Sequence, residues 1–149
     1  GDGGVEIYTI GFTQKGAGTF FESLKGAGIK RLIDVRLNNT SQLAGFAKRE
    51  DLQYFLKELC GAEYLHKPIL SPTKDILDAY KKEEISWDEY KKRFVSLLTQ
   101  RKVEEIIDKQ LFDVPTVLLC SELEPEHCHR RLVAEYLAMK WGDVRVAHL

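Results

Sequence analysis

Cys120, Glu122, Cys128, His129 and Arg130 crowd into one stretch, Pro115–Leu132, which reads PTVLLCSELEPEHCHRRL. Their types could support thiol chemistry. A cysteine at a helix start beside cationic side chains is biased toward thiolate, the reactive form. Cys128 is expected in the first turn of such a helix, next to His127, His129 and Arg130. Histidine can shuttle a proton near neutral pH, and Glu122 could serve as a base or as an ion-pair partner for Arg130 or Arg36. The structural alternative for Cys128 is a small buried hydrophobe packed near Leu132, one turn on.

A second set of residues lies far upstream. Asp34 and Arg36 alternate with Val35, so in a strand they share a face. Arg36 offers the planar donor fork that suits phosphate or carboxylate. Asp34 could act as acid or base, or hold a loop through a basic partner such as Arg130, because an unpaired buried charge is costly. Gly11, at the end of an earlier β-rich segment, reads as a tight turn.

Spacing tests the specific chemistries. Phosphatase-like and rhodanese-like sites need Cys, five residues, then Arg around one anion. Six positions after Cys60, Cys120 and Cys128 stand His66, Glu126 and Ala134, so this chemistry is not expected in its usual form. Compact zinc sites usually carry cysteines two to four residues apart; here seven residues separate Cys120 from Cys128. Adjacent Cys128 and His129 would also point about 100° apart on a helix. No metal is therefore assigned, and a Cys120–Cys128 disulfide stays open as a regulatory alternative. No GxGxxG follows the first strand and no GxxxxGK[ST] occurs, so no nucleotide cofactor is expected.

The elements that position these groups can be read from periodicity. Val5–Gly11 is a strand, Thr19–Lys25 a helix stopped by Gly26 and Gly28, and Ile29–Arg36 a second strand, together a βαβ unit. Leu37–Ala47 is a long polar loop of the kind that is often functional. Lys48–Leu59 places Leu52, Phe55, Leu56 and Leu59 on one helical face, with Gly61 at its C′ position. Glu63–His66 is a short strand and Asp75–Lys82 a short helix. Ser86 and Glu89 form a capping box opening a long helical region, with a break near Thr99. Val117–Leu119 is a buried strand. A helix runs from about Pro125, a favoured first helical residue, to Lys140, and Val144–Leu149 is the last strand. The sum is an α/β, Rossmann-like three-layer sandwich with a mostly parallel sheet of about five strands. Ligands in such folds bind beyond the carboxyl ends of the strands, where Gly11-Phe12-Thr13, Asp34–Arg36 and Cys120–Glu122 would meet the helix start at Cys128.

Taken in order, TIGFT, DVR, LLCSE and CHRR resemble the domain of unknown function 488 family, from Tyr8 to about His148. The resemblance implies this fold and a candidate site at Gly11, Asp34, Arg36, Cys120, Glu122, Cys128, His129 and Arg130, but no settled activity. Relatives often carry a proline and a Ser-Arg pair shortly after DVR. Here Gln42 stands where the arginine is expected, which points to a different ligand if that arginine binds an anion in relatives.

Composition sets the bounds. The chain has 149 residues, 44% hydrophobic and 30% charged, with a formal net charge of -1. That suits a single α/β domain over residues 1–149 and gives no global positive field for nucleic acid. Lys48-Arg49, Lys81-Lys82 and Lys91-Lys92-Arg93 read as solvated helix faces. No apolar run reaches the ~20 residues of a membrane span. Three cysteines without a signal peptide imply a reduced, cytoplasmic protein. The leading expectation is a small enzyme for an anionic small molecule, nucleotide-like compounds included, with Cys128 or His129 supplying the chemistry. Arg36 and Arg130 would bind the anion, Gly11 and Cys120 would line the site, and Asp34 and Glu122 would support. A nucleic-acid- or protein-binding module and a metal- or redox-responsive regulator are the alternatives. Nothing in the sequence specifies an oligomeric state.

Overall fold

The computed structural model describes residues 5–12, 16–37, 49–120 and 128–149. Five parallel strands form one sheet: β1 (Val5–Gly11), β2 (Arg31–Asp34), β3 (Glu63–His66), β4 (Thr116–Cys120) and β5 (Val144–His148). Their spatial order is β3-β2-β4-β1-β5. The central strand β4 is buried along its whole length, which is why its sequence is a continuous apolar run without alternation.

Two hydrophobic clusters cover the two faces of the sheet. Leu32, Val117 and Leu119 join Phe20, Phe21 and Leu24 of α1 (Ala17–Gly26) and Leu52 of α2 (Arg49–Phe55). Ile33, Leu118 and Cys120 join Phe94 and Leu98 of α4 (Trp87–Arg101) and Leu132, Val133 and Leu137 of α6 (His129–Trp141). Neighbouring residues of β2 and β4 thus supply opposite layers, the alternation that a pleated strand imposes. Two smaller helices, α3 (Lys74–Lys81) and α5 (Val103–Ile106), complete the α-helices among the described residues. The three-layer α/β architecture expected from the sequence is the one observed.

Local signals hold at several ends. Ser86 accepts from the Glu89 amide at 3.1 Å, one half of the capping box. Gly61 closes the second helical segment at φ +62°, a conformation that disfavours side chains. Most ends shift by a residue or two, and three differences have a local cause. β2 ends at Asp34 and not Arg36, because the Asp34 carboxylate takes the Arg36 amide at 3.0 Å and turns the chain out of the ladder. The break after α4 falls at Lys102, whose φ of +53° is left-handed, and not near Thr99. Leu56–Cys60 is a π-helical turn, which changes the angular step between residues. Leu59 is accordingly 47% exposed and does not share the buried face of Leu52 and Leu56.

No helix among the described residues is long and apolar enough to cross a membrane.

Candidate functional site

The topology creates a seam at the carboxyl ends of β2 and β4. These strands are neighbours, yet the chain leaving β2 passes outward to β3, while the chain leaving β4 crosses β1 to reach β5. Such divergence is the place where open α/β sheets bind ligands. The ladder across the seam pairs Asp34 with Leu119, and Val35 then donates its amide to the Leu119 carbonyl at 3.0 Å. On the other side of β4, Gly11 pairs in register with Cys120.

Asp34 is the anchor of the β2 side. Arg36 Nε and Nη2 donate to its two carboxylate oxygens at 2.8 and 2.6 Å. Tyr64 of β3 donates its hydroxyl to Oδ2 at 2.7 Å. The pair is buried, with Arg36 3% exposed, and its guanidinium lies 5.2 Å from the Phe12 ring centroid, within cation–π range. The basic partner of Asp34 is therefore Arg36 itself, two residues away, and not Arg130. Geometry explains the choice: both residues leave the same face at the strand end, so the bidentate fork closes locally.

The β4 side is built around sulfur. Cys120, the last residue of β4, is joined to Cys128 by a disulfide. Arg130, fully buried, donates from Nη1 to Cys120 Sγ at 3.3 Å and from Nε to Thr9 Oγ1 at 3.4 Å. The Thr9 hydroxyl also pairs with His148 Nδ1 on β5. Cys128 is the N-cap of α6, with extended backbone (φ −131°, ψ 141°). This corrects the expectation of Cys128 inside the first helical turn. Glu122, expected at the strand end, and the earlier part of that expected helix, with Pro125 and His127, lie outside the described residues, as does all but Leu37 of the long loop holding Gln42.

His129 joins the two sides. Its Nε2 lies 2.6 Å from the Val35 carbonyl oxygen. A carbonyl can only accept, so Nε2 carries the proton and Nδ1 the lone pair. Phe94 of α4 packs edge-on against the ring at 5.7 Å. Burial pushes the imidazole down to about 4, and the charge of Arg130 adds to that effect, against the opposing pull of the Val35 carbonyl and Asp34. His129 is thus a neutral, oriented imidazole at pH 7.

Gly11, Asp34, Arg36, Cys120, Cys128, His129 and Arg130 all come to this rim, joined through β1, β2, β4 and the start of α6. Sequence reasoning placed Phe12 in a strand-end stretch at this rim and weighed His66 beside the cysteines, but did not single out Tyr64. His66 Nε2 bonds the Arg36 carbonyl at 2.8 Å. The available signal was alternation within Glu63–His66: Tyr64 and His66 are the two same-face positions of a strand that adjoins β2.

The family model described as "Domain of unknown function DUF488" matches residues 17–137, from α1 into α6. It spans both DVR and CHRR and stops short of Gly11 on one side and β5 on the other. No curated protein and no solved structure matches the chain.

Proposed function

We propose that this chain, which belongs to the domain of unknown function DUF488 family, is a small cytoplasmic enzyme. Its thiols at the β2/β4 seam would act on an anionic small molecule, nucleotide-like compounds included. The observation that carries the reading is Arg130, a fully buried guanidinium aimed at Cys120 Sγ. A cation beside sulfur favours thiolate, and Cys128 stands at a helix start that favours negative charge. Disulfides in cytosolic proteins, where they occur, are usually transient and catalytic or redox-sensing.

The chemistry runs as thiol–disulfide exchange. A thiolate of a dithiol reductant attacks Cys128 Sγ, and the S–S electron pair passes to Cys120 Sγ. Arg130 stabilises that leaving thiolate, which speeds departure. The reductant's second thiolate then attacks the mixed disulfide, closes its own disulfide, and releases Cys128. The reduced rim offers Cys120 as nucleophile. Asp34, held by Arg36 and Tyr64, positions the end of β2, and neutral His129 holds the helix start to Val35. The substrate's charge is met by Arg130 and by the start of α6.

The test is alkylation rate against pH for each cysteine of phosphine-reduced, chelator-treated protein, mapped by mass spectrometry. Cys120 is expected to titrate well below the free value of ~8.5, and nucleoside phosphates are expected to slow its alkylation. Arg130→Met should raise its apparent pKa by about one unit or more, and Arg130→Lys should restore part of the drop. A Cys120 that is inert until unfolding, or indifferent to both Arg130 variants, overturns the reading.

The disulfide itself favours a second reading, a redox-responsive regulator. It predicts reversible Cys120–Cys128 pairing with an ordinary thiol pKa and no nucleotide protection.

A further inference from the structure

We infer that Cys120, Cys128 and His129, once the disulfide opens, form a binding site for a thiophilic divalent cation of the zinc class. The inference shares with the thiol reading the premise that the disulfide is reduced, and needs none of its catalysis.

One ligand atom from each of the three residues lies within 4.8 Å of the other two, and all three residues are buried. Tetrahedral zinc at ordinary Zn–S and Zn–N lengths needs donor separations of about 3.5–3.8 Å. Sulfurs released from a covalent bond move apart toward that spacing, while the imidazole moves in. The backbone suits this. The two cysteine Cα atoms stand 7.4 Å apart, beyond the usual disulfide span of about 4.4–6.8 Å, and an ion between the sulfurs fills the wider gap.

The sequence objection to joint ligation by adjacent residues was the angular step along a helix. That objection fails here because Cys128 has extended backbone at the N-cap. Its side chain leaves on a direction that the helix does not dictate, so Cys128 and His129 can both face Cys120.

His129 has the outer contacts of a metal ligand. Donating Nε2–H to the Val35 carbonyl at 2.6 Å fixes the tautomer and leaves the Nδ1 lone pair free to bind. Such a carbonyl or carboxylate behind the imidazole is the usual support for a ligating histidine. Phe94 holds the ring plane. Arg130 Nη1 supplies the matching outer contact to Cys120 Sγ. Three protein donors leave a fourth tetrahedral position for water or a small anion.

The exchange balances. A dithiol reductant delivers two electrons and two protons, becoming a disulfide, and leaves two thiols at the rim. A divalent cation then displaces both thiol protons to solvent, and the two thiolates neutralise its charge. A disulfide oxidant reverses the sequence: it takes two electrons from the two thiolates and two protons from solvent, becomes a dithiol, and the cation leaves as the Cys120–Cys128 bond re-forms.

The probe is cobalt(II) added to the full chain under argon, in two states: phosphine-reduced with the phosphine removed, and disulfide-bonded. The reduced protein should bind a single cobalt, with sulfur-to-cobalt charge transfer and the intense visible bands of a tetrahedral site, and zinc should bleach both. The disulfide form should give neither band. Cys60→Ala should keep the spectrum, Cys128→Ala should abolish the tetrahedral bands, and His129→Gln, which removes a direct ligand, should weaken binding by more than the about 10–100-fold that loss of an outer contact costs. A reduced protein with a full thiol count and no charge-transfer band overturns the site without any variant. So does equal binding by both forms, or loss of the signal in Cys60→Ala. Alkylation of metal-free protein reports on the thiol reading separately. A low Cys120 pKa without cobalt binding sinks only the metal site, and cobalt binding with an ordinary Cys120 pKa sinks only the enzyme.

Discussion

Asp34 and Arg36 are two positions apart and bind each other through both carboxylate oxygens, at 2.8 and 2.6 Å, with Tyr64 donating to the same carboxylate from the neighbouring strand. Removing one partner of a buried ion pair leaves the other charge uncompensated, which costs about 3–5 kcal/mol. Asp34→Ala is therefore expected to destabilise by that amount. Tyr64→Phe deletes a hydrogen bond to that charged acceptor and should cost about 1.5 kcal/mol. Urea unfolding of both variants and of the double variant checks this. The double variant should lose less than the sum, since the two share one carboxylate.

The disulfide closes a short loop, with a sequence separation of eight. On the chain-entropy account a loop of that length stabilises by at most about 2.5 kcal/mol, less what the wide 7.4 Å Cα span costs the folded state. Reduction should lower the stability of the metal-free protein by this order, read as a drop in Tm with and without phosphine. Adding zinc to the reduced protein should return part of the loss, because a ligand bound only by the folded state stabilises it.

His129 makes stability depend on pH on the acid side. In the unfolded chain its imidazole takes a proton near 6.5, while in the fold burial holds it neutral down to about 4. Between those values the unfolded state binds more protons, so stability falls as pH falls through the window and is fully present above it. The complete effect is about 3 kcal/mol. Arg130 and Asp34 are the charged groups facing the ring, with opposite influence. Urea midpoints of the disulfide-bonded protein between pH 4 and 8, expected to fall steeply in wild type and to flatten in His129→Gln, check the assignment.

Cys60 should be the slow thiol. Burial pushes it up from its ordinary value, partly offset by Lys25 and Lys30. Its alkylation at pH 7.5 should lag behind that of free cysteine, which makes it an internal reference for Cys120.

The Ser86 cap at the start of α4 offers a control away from the rim. Ser86→Ala removes the acceptor for the Glu89 amide and should cost about 1 kcal/mol, with cysteine reactivity unchanged.

Much of this molecule can be read from local pattern. The apolar run of β4, the helical stripes of Phe20–Leu24 and Leu132–Leu137, the Ser86–Glu89 cap and the glycine after Cys60 each follow from periods and propensities that need no distant contact. With parallel connections they bring Gly11, Asp34, Arg36, Cys120 and Cys128 to one end of the sheet. Tertiary structure decided how those residues meet. Strand order β3-β2-β4-β1-β5 puts Tyr64 beside Asp34 and Thr9 beside Arg130, and no spacing within one segment encodes which strands are neighbours. The extended backbone at Cys128 depends on where α6 starts. That start frees the cysteine to reach Cys120 and places His129 against the Val35 carbonyl, 94 residues away in sequence. Periodicity is a property of a few residues and survives alone. Donor and acceptor pairing is a property of two chain segments at once, and exists only when the sheet has closed.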